Sequence, residues 1–166
     1  MILAIYTIIH VLISLVGIAS GLVVTYGLLT AKRLDGWTKI FLITTVLTSI
    51  TGFFFPVQHF MPSHAVGILS LLILLPCIIA RYPLHLAAHW RLVYVITAMI
   101  ALYLNVFVLV VQLFEKVPPL HDLAPTQTEP PFKITQLTVL ILFTVLTITA
   151  AIRFHPESSA NRLSAV

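Results

Sequence analysis

Leu92 to Phe114 reads LVYVITAMIALYLNVFVLVVQLF, an apolar run with no charged residue and with amides only at Asn105 and Gln112. About twenty such residues cross a hydrocarbon core ~30 Å thick, so this run predicts a membrane-spanning helix. Four further apolar runs accompany it, and together they predict five spans at about 5–30, 38–57, 64–81, 91–115 and 133–153. The expected fold class is therefore all-α, a polytopic membrane protein with one helical-bundle domain over 1–166. A mean hydropathy of +1.09 with 8% charged residues agrees, because a soluble domain would carry about a quarter.

The cations orient the bundle. Lys32, Arg33, Lys39, Arg81, Arg91, Arg153 and Arg162 fall on one side of the five runs, and Lys116 and Lys133 on the other. The positive-inside rule then predicts an outward N-terminus and a cytoplasmic C-terminus. The net charge of +4 follows from this topology and from anionic inner-leaflet lipid, so no nucleic-acid role is assigned. No basic segment precedes the first run, whereas Lys32-Arg33 follow it, the reverse of a secretory signal. It is expected to stay in place as a helix. Cys77 is the single cysteine, which leaves neither an internal disulfide nor a thiolate cluster.

Ser14, Gly17, Gly21 and Thr25 recur every three or four residues along the first helix, and Thr45, Thr48, Ser49 and Gly52 along the second. Small residues let backbones approach closely, and Asp35-Gly36 is expected to turn the chain so that these helices form an antiparallel hairpin. Gly17 and Gly21 are also the expected surface for self-association. Between the third and fourth helices, Tyr82 to Arg91 reads as a short amphipathic stretch; if helical, it sets His85 and His89 on one face. Val117 to Phe132 contains five prolines in sixteen residues. It is expected to lack regular helix and to cap the outer face.

Polar groups at membrane depth are the default functional candidates. Tyr94, Thr97, Asn105, Gln112 and Lys116 share roughly one face of the fourth helix, Asn105 near its middle. One reading is interhelical hydrogen bonding; the other is a polar cavity that opens outward beneath Glu115, Lys116, His121, Asp122 and Glu129. From that set, Asn105, Gln112, Lys116, His121 and Glu129 are the candidate ligand-binding residues. His10, His59, His64 and His121 are expected at one outer depth, a composition suited to Zn or Cu because neutral imidazole is a common metal ligand. Haem b needs two facing axial histidines at equal depth, available only at an interface as His10 with His64 or His89 with His155. A quinone pocket lined by His, Tyr and the amides makes weaker demands. No Gly-x-Ser-x-Gly is present, and the runs hold no acid to orient a catalytic base.

The stretch Leu104-Asn105-Val106-Phe107-Val108-Leu109-Val110-Val111-Gln112 and the loop Leu120-His121-Asp122-Leu123-Ala124-Pro125-Thr126-Gln127-Thr128-Glu129-Pro130-Pro131-Phe132 resemble a family of small bacterial multi-pass proteins of uncharacterised activity. The resemblance covers most of the chain. It implies a bacterial inner membrane and carries over no site residue.

These observations favour a small integral membrane binding or accessory protein, a subunit beside a larger membrane complex or a homo-oligomer. The alternative is a redox membrane protein using quinone, haem b or a metal at the outer cluster. A third reading is an oligomeric channel or carrier, with Asn105 and Gln112 lining a shared aqueous path.

Overall fold

In hydrocarbon a chain must satisfy its own backbone hydrogen bonds, and long apolar segments do so as helices. The computed structural model describes residues 2–56 and 62–155, and over these the chain is helical with no strand. Its elements are α1 (Ile2–Leu29), α2 (Asp35–Gly52), α3 (Pro62–Arg81), α4 (Trp90–Lys116), α5 (Pro118–Leu123) and α6 (Pro130–Arg153). Four of these, α1, α3 from His64, α4 and α6, are long and apolar enough to cross a membrane. They suggest a multi-pass membrane protein. α2 falls outside that set because its eighteen residues begin with Asp35 and Gly36 and include Lys39.

α4 is the hub, packed against α1, α3, α5 and α6. Tyr94, Val95, Ala98, Met99, Ala101 and Leu102 form its inner stripe, and against them close Val24 and Leu28 of α1, Phe41 and Leu42 of α2, and Leu74 and Cys77 of α3. α6 lies at the periphery. It touches α4 and α1, and among its residues only Phe143 and Ala150 are buried.

The α1–α2 hairpin is antiparallel as expected, but Asp35-Gly36 does not make the turn. Both residues belong to the first turn of α2, where an acid favours the positive helix end, and the reversal is made by Ala31 to Leu34. Ala31 takes the left-handed conformation, φ 56°, and the Lys32 amide bonds back to the Gly27 carbonyl at 2.8 Å, closing α1 by a Schellman-type cap.

The Pro-rich segment also departs from expectation. Pro118-Pro119 opens α5 and Pro130-Pro131 opens α6, positions where a helix needs no amide proton and a fixed φ is already suitable. The prolines start helices here instead of preventing them. Tyr82 to His89 is the reverse case. It forms consecutive turns, not a helix, with His85, Leu86 and Ala88 left-handed at φ 47°, 61° and 45°. Such conformations cost about 1–3 kcal/mol each; here they let the Leu86 amide reach the Ala80 carbonyl at 2.9 Å while its side chain enters the core. His85 and His89 therefore share no helical face.

Gly17 and Gly21 do mediate close approach, within the chain. A Cβ on Gly17 would stand 3.2 Å from Thr44 Oγ1, and one on Gly21 would stand 2.5 Å from Leu102 Cδ1 and 2.9 Å from Phe41 Cε2. Within the chain both glycines are thus covered, Gly17 by α2 and Gly21 by α2 and α4. Gly21→Ala is expected to destabilise the fold by about 1–3 kcal/mol through overpacking, whereas Gly36→Ala, with nothing within 4 Å, should leave stability nearly unchanged. Thermal unfolding of the two variants in one detergent checks this, and equal tolerance would remove the packing argument.

Candidate functional site

The polar side chains of the bundle gather at three levels. At the His10 end, the Tyr6 hydroxyl donates to the Thr51 carbonyl at 2.5 Å, and His10 Nδ1 lies 2.8 Å from Thr51 Oγ1. The Thr51 hydroxyl already gives its proton to the Leu47 carbonyl. His10 must then donate from Nδ1, which leaves Nε2 as its free lone pair. Phe55 packs edge-on against both Tyr6 and His10. His64 is buried and stacks on Phe53 at 5.7 Å between ring centroids. His10 and His64 are thus held by different aromatic residues.

The cap over this end is ordered, but it sits on α4 and α6 and not on α1 or α2. Leu120, Ala124 and Phe132 pack on Val110 and Phe114, and the Gln127 amide donates to the Val111 carbonyl at 3.2 Å. His121 is exposed on α5. Among the described residues no group of three His, Cys, Asp or Glu side chains is placed to hold a metal ion; His59 lies outside them. Gln112 is exposed in the last turns of α4, donating to Glu115 at 3.4 Å, and Glu115 pairs with Lys116 at 2.7 Å. It does not face the bundle interior as its spacing suggested, because so close to the helix end its amide has polar company without burial.

Glu129 folds its carboxylate back onto its own loop. The Thr126 hydroxyl donates to it at 2.8 Å, and the Thr126 and Thr128 amides at 3.2 and 3.0 Å. These bonds, the Thr126 hydroxyl first, hold the carboxyl below its ordinary value of 4.5. A depressed carboxyl contributes order that is complete above its unfolded pKa and is lost as pH falls through the folded value. Protection of the Thr126 and Thr128 amides, taken relative to their intrinsic exchange rates, should therefore fall as pH drops below 4.5, and Glu129→Gln should remove that pH dependence. Parallel profiles for the two proteins would show that the carboxylate does not hold the loop.

At mid-depth Asn105 does turn inward, donating from Nδ2 to Thr45 Oγ1 of α2 at 3.2 Å. Gln136 of α6 donates to the Phe107 carbonyl at 3.2 Å, and its Oε1 is buried with no partner among the described residues. Between α4 and α6 an apolar groove of about 200 Å³ opens along Met99, Tyr103, Phe143, Thr144 and Thr147.

The opposite end holds the one buried charge among the described residues, Arg81, 4% exposed at the end of α3. Its guanidinium bonds to the Asp35 carboxylate at the start of α2 and lies 5.1 Å above the Tyr94 ring centroid of α4. The Tyr94 hydroxyl in turn stands 3.4 Å from Thr38 Oγ1. Arg91 crosses to α6, donating to the Ala151 carbonyl at 3.0 Å and to the Phe154 carbonyl, a cation on the negative end of a neighbouring helix. Two arginines thus join α2, α3, α4 and α6 at one level. Sequence reasoning counted both only as topology signals. The available clue was Asp35, the one acid between two apolar runs on the basic side, the other acid of that side being Glu157 in the C-terminal tail.

Removing Asp35 would leave a buried cation without its carboxylate, so Asp35→Ala should cost about 1–3 kcal/mol. Arg33 also approaches Asp35, at 3.7 Å and largely in solvent, so Arg33→Ala should fall within about 0.5 kcal/mol of the parent. Unfolding of both variants decides whether the buried arm carries the energy.

Comparison with protein-family models, curated proteins and solved structures yields no match to this chain. The reading of function rests on the geometry above.

Proposed function

We propose that this chain is a five-span bacterial inner-membrane protein, N-terminus out and C-terminus in, that serves as a binding or accessory subunit beside a larger membrane protein or a second copy of itself. For α2 as a fifth span, the support is its pairing along α1, from Leu34 against Gly27 at one end to Thr51 against Tyr6 and His10 at the other. The stretch of α1 between those contacts rises roughly 30 Å at 1.5 Å per residue. The orientation is supported by Lys32, Arg33, Lys39, Arg81, Arg91 and Arg153, which flank helix ends tied together by the Arg81 and Arg91 bonds, at the end the positive-inside rule assigns to the cytoplasm.

The observation that carries the accessory role is the position of α6. It adheres to the bundle by one side, with Phe143 and Ala150 alone buried, while Leu137, Ile141, Val145, Ile148 and Ile152 face outward. The polar groups of the other helices that do not bond within their own helix, such as Asn105, His10, Arg81 and Arg91, join helix to helix, which suits a scaffold more than a reaction centre. In second place stands a redox protein binding quinone, favoured by the groove between α4 and α6 that Tyr103 lines at the middle of α4.

Native mass measurement of the protein released from its own membrane into nanodiscs is expected to give a multiple of the chain mass or a complex with other membrane subunits. Reporter fusions after Lys32, after Arg81 and after Arg153 are expected to read cytoplasmic, and those at Pro125 external. A lone monomer containing reducible quinone would favour the redox reading, and an external reading after Arg153 would overturn the topology.

A further inference from the structure

α4 and α6 run antiparallel, and their seam is tied at two levels. The Gln136 amide donates to the Phe107 carbonyl at 3.2 Å, and Arg91 donates from Nη1 to the Ala151 carbonyl at 3.0 Å and to the Phe154 carbonyl. The groove of about 200 Å³ lies between these ties, with Ile96, Met99 and Tyr103 on one wall and Leu140, Thr144 and Ile148 on the other. From Ile96 to Tyr103 it runs roughly 10 Å along α4, at 1.5 Å per residue.

The walls are apolar in effect as well as in composition. Thr144 returns its hydroxyl proton to the Leu140 carbonyl at 2.8 Å, and Thr147 does the same to the Phe143 carbonyl at 2.6 Å, so neither has a proton left for a guest. Tyr103 brings the one further hydroxyl of the lining, on a ring 6.2 Å from that of Phe107 and 5.8 Å from that of Phe143. A quinone has two carbonyls to satisfy and finds one phenol. A hydrocarbon chain needs no donor at all.

One end of the groove leads to a cation. Ile96 stands five residues from Arg91, about 7.5 Å along the helix axis, and Thr147 is one turn before Ala151, whose carbonyl Arg91 holds. Both Arg91 bonds leave from Nη1, so Nε and Nη2 keep three of the five guanidinium protons for another acceptor. Among the described residues neither Arg91 nor the exposed Arg153 at the end of α6 meets a carboxylate within 4 Å; Glu157 lies outside them. Trp90 precedes Arg91, and tryptophan is favoured at headgroup depth.

We infer that the groove between α4 and α6 binds one acyl chain of an anionic phospholipid, with the lipid phosphate held at Arg91. The apolar walls take the chain, and the free guanidinium protons take the charge, as basic pockets between spanning helices do for anionic head groups. Such binding requires only that α4 and α6 cross the bilayer, whichever way the bundle faces, and is independent of the partner proposed above.

Purified protein in detergent, mixed with phosphatidylglycerol or with phosphatidylcholine, allows the lipid retained per chain to be counted by native mass spectrometry. The parent is expected to keep one phosphatidylglycerol. Arg91→Gln is expected to lower retention of phosphatidylglycerol relative to phosphatidylcholine by about fivefold, the worth of one cation near a charged membrane surface, and Arg91→Lys to restore most of it. Thr144→Trp, which fills the groove, is expected to lose both lipids, whereas Trp at Val145, on the outward side of α6, keeps them. A second measurement needs no variant: in nanodiscs of chain-deuterated phosphatidylcholine with a minority of protonated phosphatidylglycerol, cross-relaxation from the phosphatidylglycerol chain to the Tyr103 ring is expected. A folded Thr144→Trp protein that keeps the lipid, a parent that retains the two lipids alike, or a Tyr103 ring without the chain cross-peak overturns the inference.

Discussion

Hydrocarbon offers no hydrogen bonds, and the rest of this fold follows from how the chain supplies its own. Backbone groups are satisfied by helix formation, and most helical hydroxyls are satisfied by the turn before them. Polar groups left over are the ones that define the architecture. Asn105 reaches Thr45, Tyr94 approaches Thr38, His10 reaches Thr51, and Arg81 reaches Asp35. All four link residues far apart in sequence, and all four place α2 against its neighbours.

This arrangement gives α2 its place despite its modest hydropathy. A helix beginning with Asp35 and carrying Lys39 is a poor span by composition, yet Asp35 is where the buried Arg81 finds its counter-charge. The desolvation of a guanidinium is large unless it is paired and bonded; here a carboxylate and the face of Tyr94 share that role. The same end is closed a second time by Arg91, which supplies donors to carbonyls where α6 runs out of its own. The result is a bundle rigidly joined at one end, knitted by hydroxyl contacts in the middle, and covered on α4 and α6 at the other by α5 and the loop that follows it.

The polar groups that remain outside this scheme mark where chemistry has room. Tyr103 lines a groove that opens between α4 and α6, and Gln136 keeps one buried oxygen without a partner among the described residues. At the cap, Glu115, Lys116 and Glu129 pair locally, so that surface is polar and self-contained.

What the sequence by itself determined is the helical class, the long apolar elements, the close approach at Gly17 and Gly21 and the inward turn of Asn105. Each of these follows from periodicity and from the cost of polar groups in lipid, which act on one helix at a time. Which partner each group meets was decided only by the tertiary structure. Spacing put Gln112 on the same face as Asn105, but the nearness of the helix end let it stay exposed; histidines alike in composition were dispersed among Thr51, Phe53 and an exposed turn of α5. Arg81 was legible as a charge at the end of an apolar run, and nothing local could show that Asp35 and Tyr94 would bury it. A contact between helices depends on their register and rotation, and those are set by the packing of the whole bundle around α4.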